Sequence, residues 1–129
     1  MRLFLLILFY LPFALSNAQE TQTFYYNSEG VEVDSVDNYT TFEFCEVNQM
    51  KIKDGKCDVF TKSDKLVETF NYLDGVKEGN YYRYFPQQTP MITGHYENNK
   101  KTGNWVIYDS KGIPKALYKY ENDSLIKQA

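Results

Sequence analysis

Apolar and polar positions follow one recurring frame between residues 55 and 127. Gly55, Gly79 and Gly103 stand 24 residues apart. Two residues after each glycine comes Cys57, Tyr81 or Trp105, and five after comes Phe60, Tyr84 or Tyr108. Seventeen after comes Tyr72, Tyr96 or Tyr120, and just beyond lie Asp74-Gly75, Asn98-Asn99 and Asn122-Asp123. Self-similarity at a fixed period of this size marks a repeat architecture. Asp-Gly, Asn-Asn and Asn-Asp accept the positive φ that tight β-hairpin turns demand. Strand-forming segments flank them: Phe70 to Tyr72 leads into the first turn, Gly79 to Phe85 leaves it, and Ala116 to Tyr120 leads into the last. A second turn closes each unit at Lys62-Ser63-Asp64, Pro86 to Pro90 and Asp109 to Gly112. Each unit therefore reads strand, turn, strand, turn. The pattern predicts an all-β fold, an antiparallel β-hairpin repeat meander forming an elongated single-layer sheet with units 55–78, 79–102 and 103–127.

The opening glycine follows a polar step, Lys77-Glu78-Gly79 and Lys101-Thr102-Gly103. An isolated glycine in a strand marks a bulge or a close backbone approach, so a bend is expected there. Alternation sends Trp105 and Ile107 to one face and Val106 and Tyr108 to the other, so both faces carry aromatic or branched surface. Residues 19–54 are less regular. Phe24 to Gly30 echoes Val106 to Gly112, but with Tyr26 aligned on Tyr108 the frame starts at Thr21, 34 residues before Gly55 rather than 24. An insertion of ten residues lies between, and Thr40 to Val47 reads as an added strand. Residues 19–54 are expected to form an atypical N-terminal cap.

Gly79-Asn-Tyr-Tyr-Arg-Tyr-Phe85 and Gly103-Asn-Trp-Val-Ile-Tyr-Asp-Ser-Lys-Gly112 resemble the bacterial variant of the MORN repeat. Its units run glycine, any residue, aromatic, two residues, tyrosine, then a short turn and glycine. The resemblance covers about Gly55 to Lys127 and is strongest in the last two copies. The first copy departs from it, with Cys57 at the aromatic position and Lys62-Ser63-Asp64 in place of the glycine turn. Sequences of this kind are often described as YwqK-type antitoxins, so the resemblance implies an antitoxin-like protein that binds a partner toxin.

The N-terminus changes the picture of where the chain works. Met1-Arg2 supplies a positive end, Leu3 to Leu15 is apolar apart from Pro12, and Ser16-Asn17-Ala18 ends on a small residue. That order predicts a signal peptide over residues 1–18 and export to the periplasm or medium. The apolar run is about 13 residues, against the roughly 20 that span a bilayer. No cysteine follows it to take a lipid, and no later stretch is long enough to span a membrane after cleavage. Loss of Arg2 takes the net charge from −3 to −4. An acidic surface argues against nucleic acid or anionic lipid as the main partner. The 12 tyrosines and 9 phenylalanines reinforce the β reading, since a tyrosine ring buries while its hydroxyl stays wet.

Candidate chemistry is sparse. Cys45 and Cys57 lie on consecutive strand-like segments in an exported chain, so a disulfide is geometrically open to them, as is a pair of small buried thiols. A bond closing that short loop contributes about 3 kcal/mol by the chain-entropy argument. Two cysteines alone do not supply a metal set. His95, the one histidine, aligns with Asn71 and Lys119 on the polar side of its strand and reads as a surface residue rather than a base. Glu32, Asp34, Asp37, Glu43, Glu46, Asp54 and Asp58 offer carboxylates, but a thin meander gives them solvated positions rather than a deep pocket. Asn38-Tyr39-Thr40 and Asn122-Asp123-Ser124 fit the N-glycosylation pattern, which matters only in a eukaryotic source. No catalytic residue, metal site or cofactor is expected. The reading is a non-enzymatic exported protein-interaction or scaffold module with an unknown protein partner. Tyr81, Tyr82, Tyr84, Trp105 and Tyr108 form its contact set or, alternatively, its core. An antitoxin-like role and binding to a glycan or lipid surface are the alternatives.

Overall fold

A computed structural model describes residues 19–34 and 36–129; the expected export segment lies outside them. The described chain is all-β, with ten strands in one antiparallel sheet that does not close on itself. The strands are β1 (Glu20–Tyr26), β2 (Thr41–Val47), β3 (Lys53–Thr61), β4 (Leu66–Leu73) and the short β5 (Val76–Lys77). They continue as β6 (Gly79–Tyr84), β7 (Pro90–Glu97), β8 (Lys100–Tyr108), β9 (Pro114–Glu121) and β10 (Ser124–Gln128). Apart from β5, which pairs with β4, spatial order follows chain order from β1 to β10. A meander of this kind uses only local hairpin pairings, which is why a 24-residue unit can be stacked without long crossovers.

Two kinds of turn set the register. Asp74-Gly75, Asn98-Asn99 and Asn122-Asp123 all carry positive φ at both positions, the conformation of a two-residue type I′ hairpin. The other turn recurs at Asn27, Asn48, Thr61, Phe85 and Asp109. In each, the residue's carbonyl accepts from the amide three residues on, and its amide donates to the carbonyl four residues on. The Oδ1 of Asp109 also accepts from the amides of Lys111 and Ile113, as that of Asn27 does from Glu29 and Val31. Such side-chain acceptors stand in for backbone partners and favour the turn.

The ten extra residues have a structural explanation. After the Asn27 turn the chain runs back along the outer edge of β1, where Glu32 bridges Tyr26 and the Val33 amide donates to the Tyr25 carbonyl. It then passes round to β2, which pairs with the other edge of β1 from Glu20↔Val47 to Tyr26↔Thr41. This segment covers one end of the edge strand β1, a common protection against unwanted pairing.

Each type I′ turn is clipped to the hairpin before it. The amides of Gly75, Asn99 and Asp123 donate to the carbonyls of Lys53, Lys77 and Lys101 at 2.7, 3.0 and 3.0 Å. In the last two units the bond is returned: the Lys77 amide donates to Asn99 Oδ1 at 2.8 Å and the Lys101 amide to Asp123 Oδ1 at 2.6 Å. Gly75 has no side chain to do this, and Asp54 Oδ1 accepts from the Asp74 amide instead. Gly55, Gly79 and Gly103 all have positive φ beside these clips, and the β2–β3 and β7–β8 pairings slip in register next to Gly55 and Gly103. The opening glycine is therefore the bend that brings the next turn within reach.

The core lies on one face. Cys45, Val47, Cys57, Val59, Phe70, Tyr81 and Trp105 are its buried apolar residues, with Phe24, Tyr72, Tyr96, Tyr118 and Tyr120 packed around them. Among the described residues only one layer of backbone is present, so the side chains bury one another. Phe70 lies 4.9 Å from Tyr81, and Tyr81 stacks on Trp105 at 5.1 Å between ring centroids. Tyr96 meets Trp105 edge-on at 5.2 Å, and Tyr120 does so at 6.1 Å. Offset and edge-on contacts of this kind add about 0.5–1.5 kcal/mol each beyond burial. Trp105 owes its place to Gly94, which faces Tyr81 across the β6–β7 pair. In the 24-residue frame Gly94 stands where Phe70 and Tyr118 stand in the neighbouring units, and the indole ring lies over the gap.

Candidate functional site

Strand alternation distributes the aromatic residues expected to act together. Tyr81 and Trp105 are 7% and 5% exposed on the core face. Tyr82 and Tyr84 lie on the opposite face, their rings parallel at 6.3 Å. The Tyr108 hydroxyl is 3.4 Å from Thr93 Oγ1, and Thr93 faces Tyr82 across the β6–β7 pair, so Tyr108 also belongs to that second face. The five do not form one surface. His95 is exposed, with Nδ1 3.2 Å from Asn80 Oδ1. Cys45 and Cys57 face each other across β2 and β3, Cα atoms 4.1 Å apart, and are joined by a disulfide. Glu43 lies close enough to both sulfurs to complete a three-ligand set, but the sulfurs are bonded to each other and are not thiolates.

The core face carries a row of lysines that sequence reasoning passed over. Lys53, Lys77 and Lys101 each stand two residues before an opening glycine, so they recur every 24 residues. Their ammonium groups lie over aromatic rings: Lys53 is 4.6 Å from the Phe24 centroid and 5.2 Å from that of Tyr72. Lys77 is 4.2 Å from Phe70 and 5.3 Å from Tyr96, and Lys101 is 4.7 Å from Trp105 and 5.2 Å from Tyr120. Each contact is a cation–π interaction, and each lysine stem covers the ring beneath it. The backbone carbonyls of the same three lysines hold the turn clips, so one position fixes the hairpin and roofs its core.

A carboxylate pairs with the first lysine, and two lie within the field of the second. Glu43 forms an ion pair with Lys53, and the two side chains are 14% and 16% exposed. The Tyr26 hydroxyl is 3.3 Å from the same carboxylate and 2.8 Å from the Lys53 ammonium. Glu43 was expected at a solvated strand position; it is instead largely enclosed, against Lys53 and the Tyr26 hydroxyl. Glu68 faces Arg83 across β4 and β6, with Arg83 Nε at 3.8 Å. Burial raises its pKa above the usual carboxylate range, partly offset by Arg83 and Lys77. Burial lowers that of Lys77, against the pull of Glu43 and Glu68. Burial raises the phenols of Tyr26, Tyr81 and Tyr96 above the ordinary value, reinforced by Glu43 at Tyr26 and by Glu68 at Tyr81 and Tyr96. Tyr72 is pushed up to about 12, by burial first and Glu43 second.

Concavities open along this face among the described residues. One, of about 450 Å³, is lined by Tyr26, Glu43, Glu68, Phe70, Lys77 and Arg83, and its charges are mixed. Another, of about 360 Å³, is lined by Arg83, Tyr96, Lys101, Trp105, Tyr118 and Tyr120 with three further uncharged side chains. It holds two cations and no carboxylate. The Trp105 Nε1 beside it is buried and has no hydrogen-bond partner among the described residues. No known protein family, curated protein or solved structure matches this chain.

Proposed function

We propose that this chain is an exported, non-enzymatic protein-interaction module that meets its partner on the core face of its C-terminal hairpins. One observation carries this reading: an aromatic concavity with two cations is open on a single-layer sheet, where a second layer would ordinarily lie. A site of that kind offers shape, apolar area and charge but places no acid beside a base at a reacting centre. The antitoxin-like role is one case of the same reading, and the expected export segment turns it away from a cytoplasmic toxin. Binding to a glycan or lipid surface has less support. The rings here stack on one another rather than lying flat to solvent, and the net charge is negative.

The test is capture on the immobilised chain from the periplasm or medium of its source. A protein retained by the wild type should be lost with Tyr118→Ala, which opens the concavity, and kept with Tyr82→Ala on the opposite face. Loss with Tyr82→Ala alone, or retention of glycan or lipid and no protein, would overturn the reading.

A further inference from the structure

The three lysine stations are equivalent by topology as well as by sequence. Val59, Arg83 and Ile107 recur every 24 residues on β3, β6 and β8. The residues opposite them on the preceding strand are Glu43, Glu68 and Ile92. At the first station the acid pairs with the roofing lysine, and at the second it faces Arg83 and lies within the field of Lys77. At the third, the acid is replaced by Ile92. Lys101 keeps its place over Trp105 and Tyr120, yet among the described residues no carboxylate lies within ion-pairing distance of its ammonium. Asp123 accepts through Oδ1 from the Lys101 backbone amide. The 360 Å³ concavity lies at this third station, with Arg83 on its other side.

We infer that this concavity is a binding site for an acidic extended segment of a partner protein, whose aspartate or glutamate carboxylate takes the station left empty by Ile92 and pairs with Lys101. The inference rests on the interaction-module reading above and adds the chemistry of the partner. A carboxylate entering here meets a cation already held by two rings, with a guanidinium across the groove that is shared with Glu68, so little side-chain freedom is lost on binding. The apolar wall of Ile92, Ile107 and Tyr118 accepts the methylene stem. An acidic segment would otherwise be repelled by a chain of net charge −3, which makes this local positive site selective.

The sole tryptophan reports directly on the site, because Trp105 lines it. The probe is N-acetyl-tetraglutamate amide, titrated against the full chain at low salt with Trp105 fluorescence as the readout. A saturable change is expected, with none from N-acetyl-tetraglutamine amide. Lys101→Gln should weaken the response on the order of tenfold, the loss of one charge-assisted bond. Ile92→Glu should abolish it by supplying the missing acid from within. If that variant fails to fold, Lys101→Gln and the glutamine probe decide alone. No saturable response, an equal response to the glutamine probe, or an undiminished response in Lys101→Gln would overturn the inference. So would a response to tetragalacturonate and none to tetraglutamate, which would assign the station to acidic glycans. A captured partner lost with Tyr118→Ala but indifferent to Lys101→Gln would leave the module reading standing and remove this one.

Discussion

Replacing Gly94 with alanine adds a single methyl group to a strand residue whose backbone tolerates any side chain. Its effect should nevertheless be large. A Cβ built on Gly94 falls well inside van der Waals contact of the Cδ2, Cε2 and Cε3 atoms of Trp105. The indole cannot move freely, since Tyr81 stacks against it at 5.1 Å and Tyr96 stands edge-on at 5.2 Å. Forcing a methyl group into a packed site of this kind costs about 1–3 kcal/mol. For a domain of this size that corresponds to a fall in the melting midpoint on the order of 5–15 °C. Thermal melts followed by circular dichroism measure it. The assignment to Trp105 is checked by a cycle: in a Trp105→Leu background the same Gly94→Ala change should cost little, a coupling on the order of 1–2 kcal/mol. An unshifted midpoint for Gly94→Ala, or a cost that simply adds to that of Trp105→Leu, would refute the packing argument.

Three further outcomes follow from the same face. Trp105→Ala should destabilise the chain by about 3–5 kcal/mol, the range for a large buried aromatic, and an unchanged denaturant midpoint would move Trp105 from core to contact surface. Glu43→Gln should cost about 3–5 kcal/mol by leaving the enclosed Lys53 ammonium unpaired, whereas Glu43→Leu with Lys53→Met should recover most of the loss; equal instability of single and double variants in urea melts would contradict this. Stability should fall as pH rises above about 10. The phenols of Tyr26, Tyr72 and Tyr81 have folded-state pKa values above the unfolded value of 10.0, so the stability they contribute is complete below that pH and is lost progressively above it; Tyr72 titrates at about 12, and Tyr26 and Tyr81 are raised further. Tyrosinate absorbance should therefore rise together with loss of β-sheet signal, and smooth ionisation in a folded chain would count against the burial.

Much of the fold was legible because it repeats. The turn pairs, the opening glycines and the alternation of Trp105 with Val106 each follow from local backbone chemistry, and local chemistry is what a sequence carries plainly. The strand at Thr41–Val47 and the insertion ahead of it could also be read from the broken frame. The candidate site was not. The lysines before Gly79 and Gly103 were in view as part of a polar step, but nothing along the chain says that their ammonium groups fold back over aromatic rings on their own and neighbouring strands. Glu43 looked solvated because its neighbours in sequence are separated from its neighbours in space, Lys53 and Tyr26. Gly94 breaks an otherwise aromatic column, and that departure from the frame was the one local sign of the Trp105 seat. The five tyrosine and tryptophan positions were grouped by similarity, whereas period-two alternation sends Tyr82 and Tyr84 away from Tyr81.

The row of lysines, and with it the empty acid station, depends on successive hairpins being clipped in one register. Amide hydrogen exchange resolved by residue tests that most directly. Gly75, Asn99 and Asp123 occupy exposed two-residue turns, where amides ordinarily exchange almost freely. Bonded to the carbonyls of Lys53, Lys77 and Lys101, all three should be protected to a degree comparable with neighbouring strand amides. Fast exchange at all three, beside protected strands, would mean that the hairpins are not held in this register and that the third station has no fixed geometry to offer a ligand.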